Sequence, residues 1–178
     1  MTNDPLLDQV TIRLIREDDL PALEWNGEYA RYRRVYSEVY RNFMKGISLP
    51  FVAETAADGI IGQVFLTKKD PNPAYSPHNP YFFLSSFRVK PEFRDHGVGA
   101  RLLQVCEEQT RMHHMRDIYL NCAADNRLAR KFYEAHSFRV IRMDQSEWTF
   151  VNHEGFVVTE PQTAYLMKKT LPRRFSLR

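Results

Sequence analysis

The chain has 178 residues, 43% hydrophobic and 26% charged, with 7 Gly and 10 Pro, which is the size and make-up of one globular domain rather than a collagen, coiled coil or disordered chain. A net charge of +3 is too small to mark a nucleic-acid-binding protein, and the longest uncharged stretch, 71–87, is interrupted by prolines, Asn and His, which excludes a membrane span of ~20 residues. Met1 to Gln9 carries two Asp and no basic prelude to an apolar run, so no secretory signal is expected. Cys106 and Cys122 cannot build a disulfide scaffold, and each lies in an apolar-periodic segment as a buried thiol. These features predict a single cytoplasmic domain over 1–178, with its core at 10–170.

Val10 to Arg16 reads as a strand, and Glu17, Asp18 and Asp19 then supply the acidic first turn of a helix carrying Leu20, Leu23 and Trp25. From Gly27 to Lys45, Tyr29, Tyr32, Tyr36, Val39, Tyr40 and Phe43 recur every three or four residues, which predicts a helix closed by Gly46. Arg31, Arg33 and Arg34 interleave with that stripe; it is either a core face with a solvated basic side or a wall for an acceptor or nucleic acid. Leu49–Glu54 and Ile60–Thr67, separated by Ala57, Asp58 and Gly59, form an antiparallel hairpin. Asp70–Pro80, with four prolines in eleven residues, is a loop.

Tyr81–Val89 is the most β-like run, with Phe83, Ser85, Phe87 and Val89 on one face and Phe82, Leu84, Ser86 and Arg88 on the other, both expected to be covered. A helix follows from about Gly97 to His114, with Leu102, Leu103, Cys106 and Met112 or His113 inward. Asp117–Cys122 alternates as a strand, and Asp125 can cap a helix over Asn126–Ala135 that places Ala129, Phe132 and Tyr133 on one side. Phe138–Met143, Trp148–Val151, Phe156–Thr159 and Ala164–Lys168 complete a meander whose central turn is Asn152–Gly155. This order predicts a mixed α/β sheet.

A strand ending at Val89, a turn over Pro91–His96 and a helix opening at Gly97-Val98-Gly99 aim free backbone N–H groups outward, a geometry suited to a pyrophosphate. Glycines there let the backbone approach an anion, although a turn glycine beside a packing glycine leaves the same trace. No Gly-Lys-Ser/Thr follows, and no Gly-x-x-Gly, so neither the Walker loop nor the dinucleotide fingerprint applies.

Arg94-Asp95-His96-Gly97-Val98-Gly99-Ala100 resembles the Arg/Gln-x-x-Gly-x-Gly/Ala loop of the GNAT N-acetyltransferases. Asn126-Arg127-Leu128-Ala129-Arg130-Lys131-Phe132-Tyr133-Glu134 is similar to that family's second signature, Asn-x-x-Ala-x-x-Phe-Tyr-Glu. The resemblance covers about 82–141 and implies the GNAT fold: a mixed, mostly antiparallel sheet of six to seven strands flanked by helices, here with a β-hairpin extension near the C-terminus. It implies acetyl-CoA as cofactor, its pyrophosphate cradled by the amides from Arg94 to Ala100 (Asp95, His96, Gly97, Val98 and Gly99 between them). Backbone groups of Phe87 and Val89 would pair with the pantetheine arm as an added strand. Phe87 N–H would polarise the thioester carbonyl, Asn126 would contact the arm, and Tyr133 would protonate the departing thiolate. Of the nearby cations Arg94, Arg127 and Lys131, Arg94 is the one assigned to the phosphates.

The family's acidic positions are Phe83 and Asn121 here, and neither accepts a proton usefully. His78, Glu54, Glu28 and water held by Ser85 or Ser86 remain as candidate bases. Ser137 stands where the family ends its helix with Gly, which requires a left-handed residue or another cap. The six histidines lack paired ligand spacing, so no metal is expected. The activity expected is acetyl transfer to a primary amine, small-molecule or peptide, with no nucleic-acid or membrane partner; the alternative is a non-catalytic acyl-CoA-binding module. Specificity would lie in Trp25–Phe43, Pro71–Pro80 and the hairpin Asp144–Pro161, the last also a candidate homodimer contact.

Overall fold

The computed structural model describes residues 4–172; the ends of the expected domain, 1–3 and 173–178, lie outside the described residues. Seven strands, β1 (Thr11–Leu14), β2 (Ser48–Thr55), β3 (Gly59–Lys69), β4 (Tyr81–Val89), β5 (Asp117–Ala123), β6 (Arg139–Val151) and β7 (Val157–Thr170), form one sheet in the order β1-β2-β3-β4-β5-β7-β6. Only β4 and β5 run parallel. The helix α1 (Arg33–Met44) covers one face, and α2 (Val98–Met112) and α3 (Arg127–Ala135) cover the other. The expected mixed α/β sheet is present with seven strands.

Burial explains these elements. Leu102, Leu103 and Cys106 repeat at helical spacing on α2 and meet Ile61, Val64 and Leu84 of the sheet. Each such leucine contributes roughly 1.5–3 kcal/mol. On the opposite face Tyr36 of α1 packs with Leu23, Val52 and Phe65. Among the described residues no helix is long and apolar enough to cross a membrane.

Several elements differ from expectation. The segment after β1 is a 3-10 helix, Glu17–Glu24, because Pro21 inside it cannot donate an α-helical bond. Trp25, Asn26 and Gly27 then take positive φ in succession, so α1 begins at Arg33 instead of Gly27. Helix α3 is capped by Asn126, whose Oδ1 accepts from Ala129 N–H at 3.0 Å, and not by Asp125. Met112 and His113 are exposed; Thr110 is the buried residue of that last turn, its hydroxyl donating to the Cys106 carbonyl. The four short strands of the meander are two long ones, β6 and β7, paired around the Asn152–Gly155 turn with one register shift between Val140 and Arg142.

Ser137 takes φ 67, the left-handed cap that its position required. Both cysteines are buried and free.

Candidate active site

β4 and β5 pair over three rungs only, Phe82–Ile118, Phe83–Tyr119 and Leu84–Leu120. Beyond Leu84 the strands part. The cause lies in β4, where Ser86 and Phe87 stand opposite the single residue Val64 of β3. Ser86 takes φ 49, the bulge conformation that re-aims a strand. The far half of β4 is therefore open, and not covered on both faces as its alternation suggested.

A cleft of about 460 Å³ fills the fork. It is lined by Ser85, Ser86, Phe87 and Arg88 of β4, by Asn121 and Cys122 of β5, and by Asn126 and Tyr133 at α3. Tyr29, Tyr32 and Tyr36 close it from the α1 side, and Trp148 and Gln162 close it from the hairpin. The aromatic stripe is divided by burial: Tyr36 is fully buried in the core, while Tyr29 and Tyr32 are half-buried. Arg33 of the basic side pairs with Glu24, and Arg31 pairs with Glu160 of β7.

The glycine loop lines none of the cleft; its Gly99 lies beside Phe132 and Phe87, and Phe87 is a cleft wall. Gly97 takes φ 82, a conformation that L side chains avoid. The first bond of α2 runs from Arg101 N–H to the Gly97 carbonyl, so the N–H groups of Val98, Gly99 and Ala100 precede the helical ladder. These donors sit at the positive end of the helix dipole and fit a pyrophosphate. Val98 is buried, while Arg94, Asp95, His96 and Gly97 are exposed. Arg94 Nε donates to the Val89 carbonyl at 2.9 Å, which ties the loop to the end of β4. The N-terminal segment lies against the same loop: His96 Nδ1 bonds the Asp4 carboxylate, and Arg101 donates to the Leu7 carbonyl.

Tyr133 is buried among Phe87, Phe132 and Phe138. Burial pushes its phenol far above the ordinary tyrosine value, with the neighbouring thiols Cys122 and Cys106 adding to the shift. It stays a protonated phenol at physiological pH. Phe87 therefore contributes ring contacts to Tyr133 and Phe132 as well as backbone to the fork. Asn126 reaches the cleft with its amide oxygen already engaged in capping α3.

The proposed bases are not brought to the cleft. Glu54 is held by Arg13 through two bonds of 2.7 Å, which keep its carboxylate below the ordinary value. His78 and Glu28 are exposed and line none of it; Glu28 instead meets the Tyr29 phenol, which burial chiefly raises. Phe83 packs on Tyr75 outside the cleft, whereas Asn121 does line it. Ser85 and Ser86 alone of the candidates are in place. Arg88 was not singled out from sequence, and Cys122 was expected only as a buried thiol. A lone arginine inside an apolar strand was the available signal for the first. The Cys122 thiol is raised by burial, so it is poorly suited to carry an acyl group. Among the described residues no group of His, Cys, Asp or Glu could hold a metal ion.

The arrangement has solved counterparts. An acetyltransferase of the GNAT family from Staphylococcus aureus superposes with a TM-score of 0.68 at 15% identity, over 92% of this chain and 99% of that one. The PaiA N-acetyltransferase of Thermoplasma acidophilum, solved in complex with coenzyme A, gives 0.66 at 19% identity over 90% and 98%. NAA60 of Arabidopsis thaliana, in complex with a bisubstrate analogue, gives 0.66 at 19% identity over 91% and 98%. At these identities the likeness is one of fold. None of the curated proteins compared with the chain matches it. The sequence profile of the acetyltransferase (GNAT) family matches residues 13–138, well over half of the chain and including both signature segments, and the chain belongs to that family.

Proposed function

We propose that the protein is an N-acetyltransferase that moves an acetyl group from acetyl-CoA to a primary amine by direct attack in a ternary complex. The observation that carries this reading is the meeting in one cleft of the open end of β4 and buried Tyr133, with the start of α2 packed against Phe87 of that cleft through Gly99. Family membership and a relative holding coenzyme A support the cofactor. The amides from Arg94 to Ala100, with the Arg94 side chain, would hold its pyrophosphate, and Val89, Phe87 and Asn126 would hold its arm.

Acetyl-CoA supplies an activated thioester; the chain positions it and manages protons. Phe87 N–H donates to the carbonyl oxygen as negative charge gathers there. The acceptor nitrogen would form the new C–N bond as the C–S bond breaks, and Tyr133 would give its proton to the departing sulfur and regain one from solvent as the products leave. The acceptor must lose a proton too, since an alkyl amine of pKa ~10.4 lies about 4.6 kcal/mol from its neutral form at pH 7. Ser85 and Ser86 would hold the water that takes it. Cys122, neutral and buried, has no part in the transfer. The protein would act in the cytoplasm, as a monomer or as a homodimer joined along the unpaired edge of β6.

A thermal-shift titration with acetyl-CoA tests the cofactor site, with free CoA and AMP as controls and Gly97→Trp as the blocked variant. At ~100 times the dissociation constant the ligand adds ~2.7 kcal/mol, several degrees in melting temperature. The shift is expected to vanish in the variant, and its absence from the wild type up to millimolar acetyl-CoA would overturn the reading. One observation favours a second reading, an acyl-CoA-binding module without turnover: no Asp, Glu or His lines the cleft. Binding without transfer to any amine would decide for it.

A further inference from the structure

Arg88 is the one charged side chain among the described residues that line the cleft. Its guanidinium lies 3.9 Å from the ring centre of Tyr29 and 5.8 Å from those of Tyr32 and Tyr36. Nη2 donates to the Tyr36 phenol at 2.9 Å. No ion pair among the described residues includes Arg88, and its buried Nη1 has no hydrogen-bond partner. Gln63, its partner on β3, is fully buried and leaves both amide atoms unpartnered as well.

A half-buried guanidinium without an anion is costly, and aromatic faces offset only part of that cost. Its planar fork matches a carboxylate, which it binds through two parallel bonds. The remaining walls are neutral, from Ser85 and Ser86 to Asn121, Gln162 and Trp148. A polyamine or a lysine-rich peptide would bring further cations into a cleft that offers them a guanidinium and no carboxylate. We infer that the acceptor is a small primary amine that carries a carboxylate, and that Arg88 is the specificity-determining residue that takes this carboxylate. Arg88 adjoins Phe87 in the chain, so an acceptor anchored on it has its amine beside the open edge of β4. The inference rests on the transferase reading and names the substrate class of that same site.

The test measures acetyl transfer, by thiol release and product mass, for sets of amines that differ only in the carboxylate: an amino acid, its amide and the decarboxylated amine. Spermidine and a C-terminally amidated peptide beginning with Glu are further arms. Amino acids are expected to exceed their amides and decarboxylated forms in kcat/KM by roughly 10- to 100-fold, with spermidine lowest. Arg88→Gln is expected to erase this ratio through KM, and Arg88→Lys to keep part of it. An unchanged thermal shift with acetyl-CoA in both variants shows that fold and cofactor site are intact. Equal transfer to amides or spermidine, or a preference that survives Arg88→Gln, would overturn the inference and leave the transferase reading standing. Preference for the Glu peptide over every free amino acid would overturn the small-acceptor assignment. Failure to bind acetyl-CoA and to acetylate any amine would overturn both.

Discussion

A Cβ built on Gly99 would stand 3.4 Å from Cε2 and Cζ of Phe132, so the start of α2 rests almost in contact with the ring that flanks Tyr133. The same Cβ would lie 3.9 Å from Phe87. Gly99→Ala is expected to change stability by less than ~1 kcal/mol, since the helix-propensity gain of up to ~1 kcal/mol works against a contact at its limit. Gly99→Val must displace Phe132 and is expected to cost ~1–3 kcal/mol in urea unfolding, with weaker acetyl-CoA binding. Equal stability of the Val variant would show that the α2–α3 contact yields freely.

Tyr133 is held by ring contacts with Phe87, Phe132 and Phe138, so Tyr133→Phe removes the hydroxyl and leaves that packing intact. We expect a rate loss of roughly 100- to 10,000-fold with little change in the dissociation constant of acetyl-CoA. Because burial raises the phenol, no fall in rate from its ionisation is expected across neutral pH. A variant that keeps the wild-type kcat would remove Tyr133 from the proton path.

Arg13 ties β1 to Glu54 on β2 and to Asp19 of the following turn, with bonds of 2.6 to 2.9 Å. Both carboxylates are held below their ordinary values, chiefly by those bonds. Unfolded, they bind protons near pH ~3.9 and ~4.3, while the native state resists protonation until lower pH. The stabilisation is therefore complete above about pH 5 and is lost as pH falls through the depressed native values. Arg13→Gln is expected to cost ~1.5–3 kcal/mol at pH 7 and less at pH 3, read from urea midpoints. The same cost at both pH values would show that packing of the arginine stem, and not charge, carries the effect.

The strands and helices from Tyr81 to Phe138 were legible because burial writes a period of three to four into α2 and α3 and a run of apolar residues, buried on both faces, into β4 and β5. β6 was not. Most of its residues are exposed on both faces, so the polar run Asp144 to Glu147 looked like a break in the meander when it is the middle of a strand. The glycine loop and Tyr133 were found through two signatures in register, whereas Arg88 escaped because strand alternation says which face a residue takes and nothing about which ligand it meets there. Two of the failed bases are already engaged: Glu54 is held by Arg13 away from the cleft, and Glu28 meets the phenol of Tyr29 while lining none of the cleft itself.

The three-rung pairing of β4 with β5 divides the sheet into two stretches that are each continuous in sequence, 11–89 and 117–170. Within each stretch neighbouring strands pair antiparallel, and the parallel seam of three rungs between them is the shortest register in the sheet, so opening is expected there first although one core cluster spans both stretches. Native-state amide exchange should resolve two families of slowly exchanging protons that open at different free energies, with α2 bridging them. A ligand lodged in the fork would bond to both sides of the seam and merge the two families into one.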